Sequence, residues 1–393
     1  MMKTAVSVTL YIAALTALLV APGAEASAAG GRSRRLLGNP DNFLGNAKKI
    51  DAIFVFGDSV VDAGNNNFYP NAAFKSNIIP YGKTYFNKPT GRFCDGRLWV
   101  DRLAQYLGLP LMKAYLDPST KDYTQGVDFA SAGSGFVPSI KATLHAVLGG
   151  DVANIDQQLQ WFSQVKASLV SSVGTQKTDK LLRRSLFIVS AGGNDISWGY
   201  ALNPFLRQQY TADQFSSIII EAIYNTTLTL FNQGAKKIVL SAIGPIGCLP
   251  GNVAGNNGTC VETINDLAKL FNSKLPALLA RVNANCEGAQ VVYVDHFNVF
   301  EGFIKNGASH GFTKGSHACC GTGDYNGQLG GCGAVDGNGT ALYNLCSKAE
   351  LDQYVFWDYA HPTEKTYGIL ADLFIHGTGV VKPYNISSLC DRD

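Results

Sequence analysis

Five short apolar runs, each stopped abruptly by Gly, Ser, Asn or Asp, constrain this chain more than any other feature. They are Ala52 to Phe56 before Gly57-Asp58-Ser59, Val127 to Ala130 before Ser131, Leu186 to Ala191 before Gly192-Gly193-Asn194-Asp195, Lys237 to Ala242 before Gly244-Pro245, and Gln290 to Val294 before Asp295-His296. Their apolar residues are continuous rather than alternating, as in strands buried on both faces of a parallel sheet. Between them, Leu98 to Leu107, Ile155 to Val173, Phe215 to Gln233 and Val261 to Ala284 carry apolar residues at helical spacing. Gly234 stands where a helix would end, and a last helix is predicted from Thr363 to about His376. Strands alternating with helices predict an α/β protein, a three-layer αβα sandwich. No internal repeat or linker divides the chain, so residues 50–390 are expected to form one domain. The Gly-, Cys- and Asn-rich stretch from Gly307 to Gly339 reads as a long stapled loop.

The chain has 393 residues, 46% of them hydrophobic, which is enough apolar material for a large core. Its formal charge is +2, with acids and bases scattered, so the basic clusters that nucleic acid requires are missing. Residues 1–28 read as a secretory signal peptide: Lys3, an apolar stretch from about Ala5 to Ala21, then small residues around Ala24-Glu25-Ala26. Residues 29–49 would follow as a flexible basic lead. No later segment offers an integral membrane span, and the destination expected is extracellular, secreted or cell-wall. Acceptor sequons at Asn225, Asn257, Asn338 and Asn385 agree with export.

Seven of the nine cysteines lie between Gly247 and Asn385, and in an oxidising compartment they favour disulfides. Cys248 with Cys260, or one of Cys319 and Cys320 with Cys332, are the candidate loop-closing pairs, and the odd total leaves one thiol over. A zinc site from His317, Cys319, Cys320 and Cys332 is disfavoured, because adjacent cysteines chelate one tetrahedral ion poorly. No metal and no cofactor is expected, and the chain reads as a monomer.

Ligands of open parallel sheets gather at the carboxyl ends of the strands, and three runs end there in residues that can handle a carbonyl group: Ser59, Gly133 and Asn194. A serine hydroxyl needs a base, and the base needs an orienter. His361 with Asp358 three residues earlier supplies both, since a turn or early helix puts the two side chains on one side. Backbone N–H groups at Ser59 and Gly133 and the side-chain amide of Asn194 would bind the oxyanion. Taken singly, each motif is ordinary turn or cap chemistry; together, in this order, they point to nucleophilic acyl transfer.

The combination resembles the plant GDSL esterase/lipases, a branch of the SGNH hydrolases. The blocks are Phe54 to Asn67 (FVFGDSVVDAGNNN), Pro80-Tyr81-Gly82-Lys83, Thr90-Gly91-Arg92-Phe93 with Asp95-Gly96-Arg97, Asp128 to Gly135 (DFASAGSG), Gly193-Asn194-Asp195, and Phe356-Trp357-Asp358 with His361-Pro362-Thr363-Glu364. The resemblance covers roughly Ile50 to Leu389. It implies a flavodoxin-like five-stranded parallel sheet and puts catalysis on Ser59, Asp358 and His361, with Gly135 a fallback for Gly133. Departures are Val60 in place of leucine, Asp128 where asparagine is frequent, and the Tyr359-Ala360 pair. The implied substrates are acyl lipids, acetylated wall polysaccharides, phenolic esters and small acyl esters. Acyl transfer to an alcohol is the alternative, and a non-enzymatic binding role the third possibility.

Overall fold

The computed structural model describes residues 50–392. The first four apolar runs form β1 (Ile53–Gly57), β2 (Gly126–Asp128), β3 (Leu186–Ser190) and β4 (Lys237–Ser241), and the fifth forms β5 (Gln290–Val294). All five are parallel, in the order β2-β1-β3-β4-β5, with Phe54 opposite both Val127 and Phe187. The sheet is nevertheless six-stranded and mixed, which corrects the five-stranded parallel sheet expected. A sixth strand, β6 (Val381–Lys382), pairs antiparallel to β5 at its edge, Val381 opposite Val294. Two residues ended by Pro383 are too short to read as an apolar run, and a proline just beyond suits an edge.

Strand side chains alternate between two cores. Phe54, Phe56, Phe187, Val189, Ile238 and Leu240 face α2 (Ile155–Val173), α3 (Ala212–Asn232), α4 (Glu262–Asn272) and α5 (Leu275–Asn285). Ile53, Val55, Ile188, Val239 and Val292 face α1 (Trp99–Tyr106), α6 (His296–Asn306), α7 (Glu364–His376) and α8 (Ile386–Asp391). The strands are apolar throughout because both faces are covered. On the first face the rings of Phe54, Phe56, Phe129 and Phe187 pack around Phe162 of α2. Burying each such ring contributes about 1.5–3 kcal/mol.

The segment Val261 to Ala284 is two helices rather than one. Pro276 in the first turn of α5 cannot continue a preceding helix, so the chain breaks at Ser273 and Lys274. The expected loop from Gly307 to Gly339 contains strand pieces instead: Lys314–Ala318 runs parallel to Tyr354–Phe356, and Cys320–Gly321 pairs with Asn344–Leu345. Its staples are Cys319–Cys346 and Cys320–Cys332, and Cys248–Cys260 closes a loop after β4. Cys94, Cys286 and Cys390 are buried free thiols, three rather than the one expected. The leader and basic lead lie outside the described residues. No helix among those described is long and apolar enough to cross a membrane.

Candidate active site

Ser59 sits in the tight turn that follows β1, where Val61 and Asp62 both donate backbone N–H groups to the Asp58 carbonyl. Gly57 precedes it because β3 runs so close: a Cβ there would stand 2.1 Å from the Ser190 carbonyl oxygen. The turn is braced from below by Gln158 of α2, whose amide bonds both the N–H (2.8 Å) and the carbonyl (2.9 Å) of Gly57. Ser59 itself is half-buried.

Asp358 and His361 lie in a turn that ends just before α7, not in a helix. Trp357 donates its N–H to the His361 carbonyl, and Asp358 Oδ1 accepts the N–H groups of Ala360 and His361 at 2.9 and 2.8 Å. The same carboxylate meets His361 Nδ1 at 2.7 Å through Oδ1 and 2.9 Å through Oδ2. Burial by itself would raise the Asp358 pKa; the charge of His361, its hydrogen bond, and those of Ala360 and Tyr81 outweigh burial and hold the carboxyl below its ordinary value. An ionised carboxylate on Nδ1 leaves Nε2 as the nitrogen free to take a proton.

Ser59, Asn194 and His361 open onto one cleft at the carboxyl ends of the strands. Its walls are mostly apolar: Val60, Ile243, Pro245, Ile246, Leu249 and Phe300 among them. Asn194 Nδ2 donates to the Ser134 carbonyl (2.9 Å), with Asp58 Oδ2 at 3.4 Å. Asp195 beside it accepts from the N–H groups of Phe136 and Val137, tying the loop after β3 to the loop after β2. Gly133 does not line the cleft. It has φ +87°, and an added Cβ would meet the Phe74 ring at 2.8 Å. Gly135 packs against the Asp195 carboxylate. Among the described residues no acceptor takes the backbone N–H of Ser59 or of Gly133. Phe136, Trp198 and Phe205 also lie outside the cleft walls; Phe136 is core, and Phe205 is 78% exposed.

Residues 53–374 match the family model described as GDSL-like lipase/acylhydrolase. This chain belongs to that family. As a GDSL esterase/lipase it is a hydrolase acting on esters. It is 36% identical over 347 residues to GDSL esterase/lipase At1g71691 of Arabidopsis thaliana, covering 86% of this chain and 85% of the relative. It is similar to a GDSL lipase of Tanacetum cinerariifolium (34%, covering 87% and 88%) and to GDSL esterase/lipase APG of Arabidopsis thaliana (34%, covering 84% and 91%).

In this GDSL esterase/lipase several blocks quoted from the sequence acquire physical roles there was no way to assign beforehand. Tyr81 donates its hydroxyl to Asp358 Oδ2 at 2.7 Å, across 277 residues of chain. Phe93 lays its ring 4.9 Å from the His361 ring, and its neighbour Arg92 forms a buried two-pronged bond to Asp101. Glu364 gathers Arg97, Arg102 and Thr84 at the start of α7. Only their contacts in the folded chain, between residues mostly far apart in sequence, identify them. The exposed sequon asparagines Asn225, Asn257 and Asn338 are far from this network in sequence, while Asn385 is half-buried and caps α8 by accepting from Ser388 N–H. The sulfurs of Cys319, Cys320 and Cys332 are all engaged in disulfides beside His317.

Proposed function

We propose that this esterase/lipase is a secreted serine carboxylic ester hydrolase in which Ser59, His361 and Asp358 act as a catalytic triad. The observation that carries this is the shared cleft: a histidine held through Nδ1 by a buried carboxylate opens onto the space where Ser59 also lies. Ser59 Oγ attacks the ester carbonyl carbon as its proton passes to His361 Nε2. The oxygen that becomes negative is bound by the N–H of Ser59, which meets no acceptor among the described residues, and by the Asn194 amide, both at the cleft; the N–H of Gly133, the third donor expected from the sequence, likewise meets no acceptor there but belongs to a residue outside the cleft walls. Collapse breaks the carbon–oxygen bond to the alcohol, which leaves with the proton from His361. Water then attacks the acyl-serine by the same route, releasing the acid and restoring Ser59. An alcohol entering in place of water would give acyl transfer instead.

Purified protein should hydrolyse 4-nitrophenyl butyrate and react covalently with a fluorophosphonate, and Ser59→Ala should abolish labelling and lower kcat by about 10⁴-fold or more. Undiminished turnover by Ser59→Ala would overturn the assignment. Export is supported by the three disulfides. Residues 1–28 act as a cleaved leader ahead of one hydrolase domain at 50–390. The N-terminal sequence of protein recovered from the medium of expressing cells tests this: an intact Met1 would exclude cleavage.

A further inference from the structure

One hydrogen of the Asn194 amide has two claimants. A carboxamide nitrogen carries two N–H bonds. The first goes to the Ser134 carbonyl at 2.9 Å, a backbone acceptor in the loop after β2. The second faces Asp58 Oδ2 at 3.4 Å, a long and weak bond. An oxyanion bound by Asn194 must therefore take the hydrogen that points at Asp58. Asp58 is anchored where it stands: its N–H donates to the Ser190 carbonyl, its own carbonyl accepts from Val61 and Asp62, and Oδ1 accepts the Val60 N–H at 3.2 Å. It lines the cleft and is only 6% exposed.

How firmly Asp58 Oδ2 holds that hydrogen depends on its charge, because a carboxylate accepts about twice as strongly as a neutral acid. No lysine or arginine lines the cleft to keep the carboxyl ionised. Of the charged groups acting on it, His361 favours ionisation and Asp62 opposes it, and Asp195 and Tyr367 also feel its charge. Burial outweighs His361 and the Val60 hydrogen bond and pushes Asp58 up to about 7, so both forms are present near neutral pH. We propose that Asp58 is a positioning residue for the oxyanion donor: ionised, its carboxylate keeps the Asn194 N–H, and neutral, it yields that hydrogen to the oxygen that becomes negative. Rising pH then closes the side-chain half of the oxyanion site while Ser59 and His361 stay as they are. The inference rests on the ester-hydrolase reading, because an oxyanion forms only if Ser59 attacks.

The pH dependence of kcat tests this on the full protein. With 4-nitrophenyl butyrate, and spontaneous hydrolysis subtracted, kcat should fall about tenfold or more between about pH 7 and 9, since a group that titrates near 7 is almost wholly ionised at the upper end. Asp58→Asn, which keeps a neutral side chain of the same shape at every pH, should remove that fall. Asn194→Ala, which leaves no N–H to capture, should be slow throughout and shrink the fall to about threefold or less, and it serves if Asp58→Asn does not fold. No fall in the unaltered protein, or a fall that survives undiminished in either variant, would overturn the proposal. Survival in Asp58→Asn would move the titration to another carboxyl, Asp195 first. In Ser59→Ala the nitrogen-15 resonance of the Asn194 side-chain amide needs no turnover and should shift with a midpoint near pH 7. A shift alongside unimpaired hydrolysis by Ser59→Ala would refute the nucleophile and keep the exchange between Asp58 and Asn194; an unmoved resonance alongside lost hydrolysis would do the reverse.

Discussion

Tyr81 reaches the proposed triad from far along the chain. Its hydroxyl takes up part of the negative charge on Asp358 Oδ2, the oxygen that also lies 2.9 Å from His361 Nδ1. Removing the hydroxyl concentrates charge on the carboxylate, which stabilises imidazolium and lets Asp358 rotate. Tyr81→Phe is therefore expected to lower kcat about tenfold with KM little changed, and to move the acid limb of the pH–rate profile to higher pH. Asn194, on the cleft, is the side-chain donor proposed for the oxyanion. Asn194→Ala should reduce kcat by about 10²–10³-fold while leaving the fluorophosphonate reaction of Ser59 detectable. Stopped-flow and steady-state kinetics on a chromogenic ester check both.

At the scale of elements, α2 does more than cover the sheet. Gln158 holds the Gly57 N–H and carbonyl, the Ser134 hydroxyl and the Ala153 carbonyl, so one side chain joins the helix to the ends of β1 and of the loop after β2. Gln158→Leu fits the volume approximately but leaves buried backbone groups unsatisfied, at about 1–3 kcal/mol for each. Urea unfolding should show a loss of about 3 kcal/mol, and activity should fall with it because Ser59 follows Gly57 by two residues. Unchanged stability would mean that water replaces the amide. Two of the features missed among the helices and strands have local causes. Pro276 splits a segment whose apolar spacing runs on unbroken, and β6 is two residues long, below the length at which any periodicity exists.

For the molecule as a whole, buried carboxyls set the response to pH. Burial pushes Asp58 and Asp195 up to about 7, and Asp62 and Asp95 up to about 6, despite backbone hydrogen bonds that favour ionisation. Their folded pKa values exceed those of the unfolded chain, near 4, so between about pH 4 and 7 the folded state holds more protons. Stability consequently falls as pH rises through that window. His296, depressed to about 4, opposes this below about 6.5, as do His310 and His317, which burial also lowers, but those two are only partly buried, and Asp128, raised by burial as well, adds to the carboxyl side. The melting temperature is expected to be several degrees higher at pH 5 than at pH 7.5; calorimetry giving the opposite order would contradict these environments.

Read alone, the sequence determined the strands and helices, because a buried parallel strand must be apolar at every position and a covering helix on one side only, and both patterns are local. It also determined the candidate chemistry, because Ser59, Asn194, Asp358 and His361 stand in turns next to such elements, where backbone constraint leaves recognisable residues. Only the tertiary structure decided which of the cysteines pair, that Tyr81 and Phe93 flank the Asp358–His361 unit, and that Ser59, Asn194 and His361 open onto one cleft. Those relations join residues from 12 to 277 or more positions apart and leave no period or spacing in the chain. They arise when the sheet closes and two cores bury what each element presents.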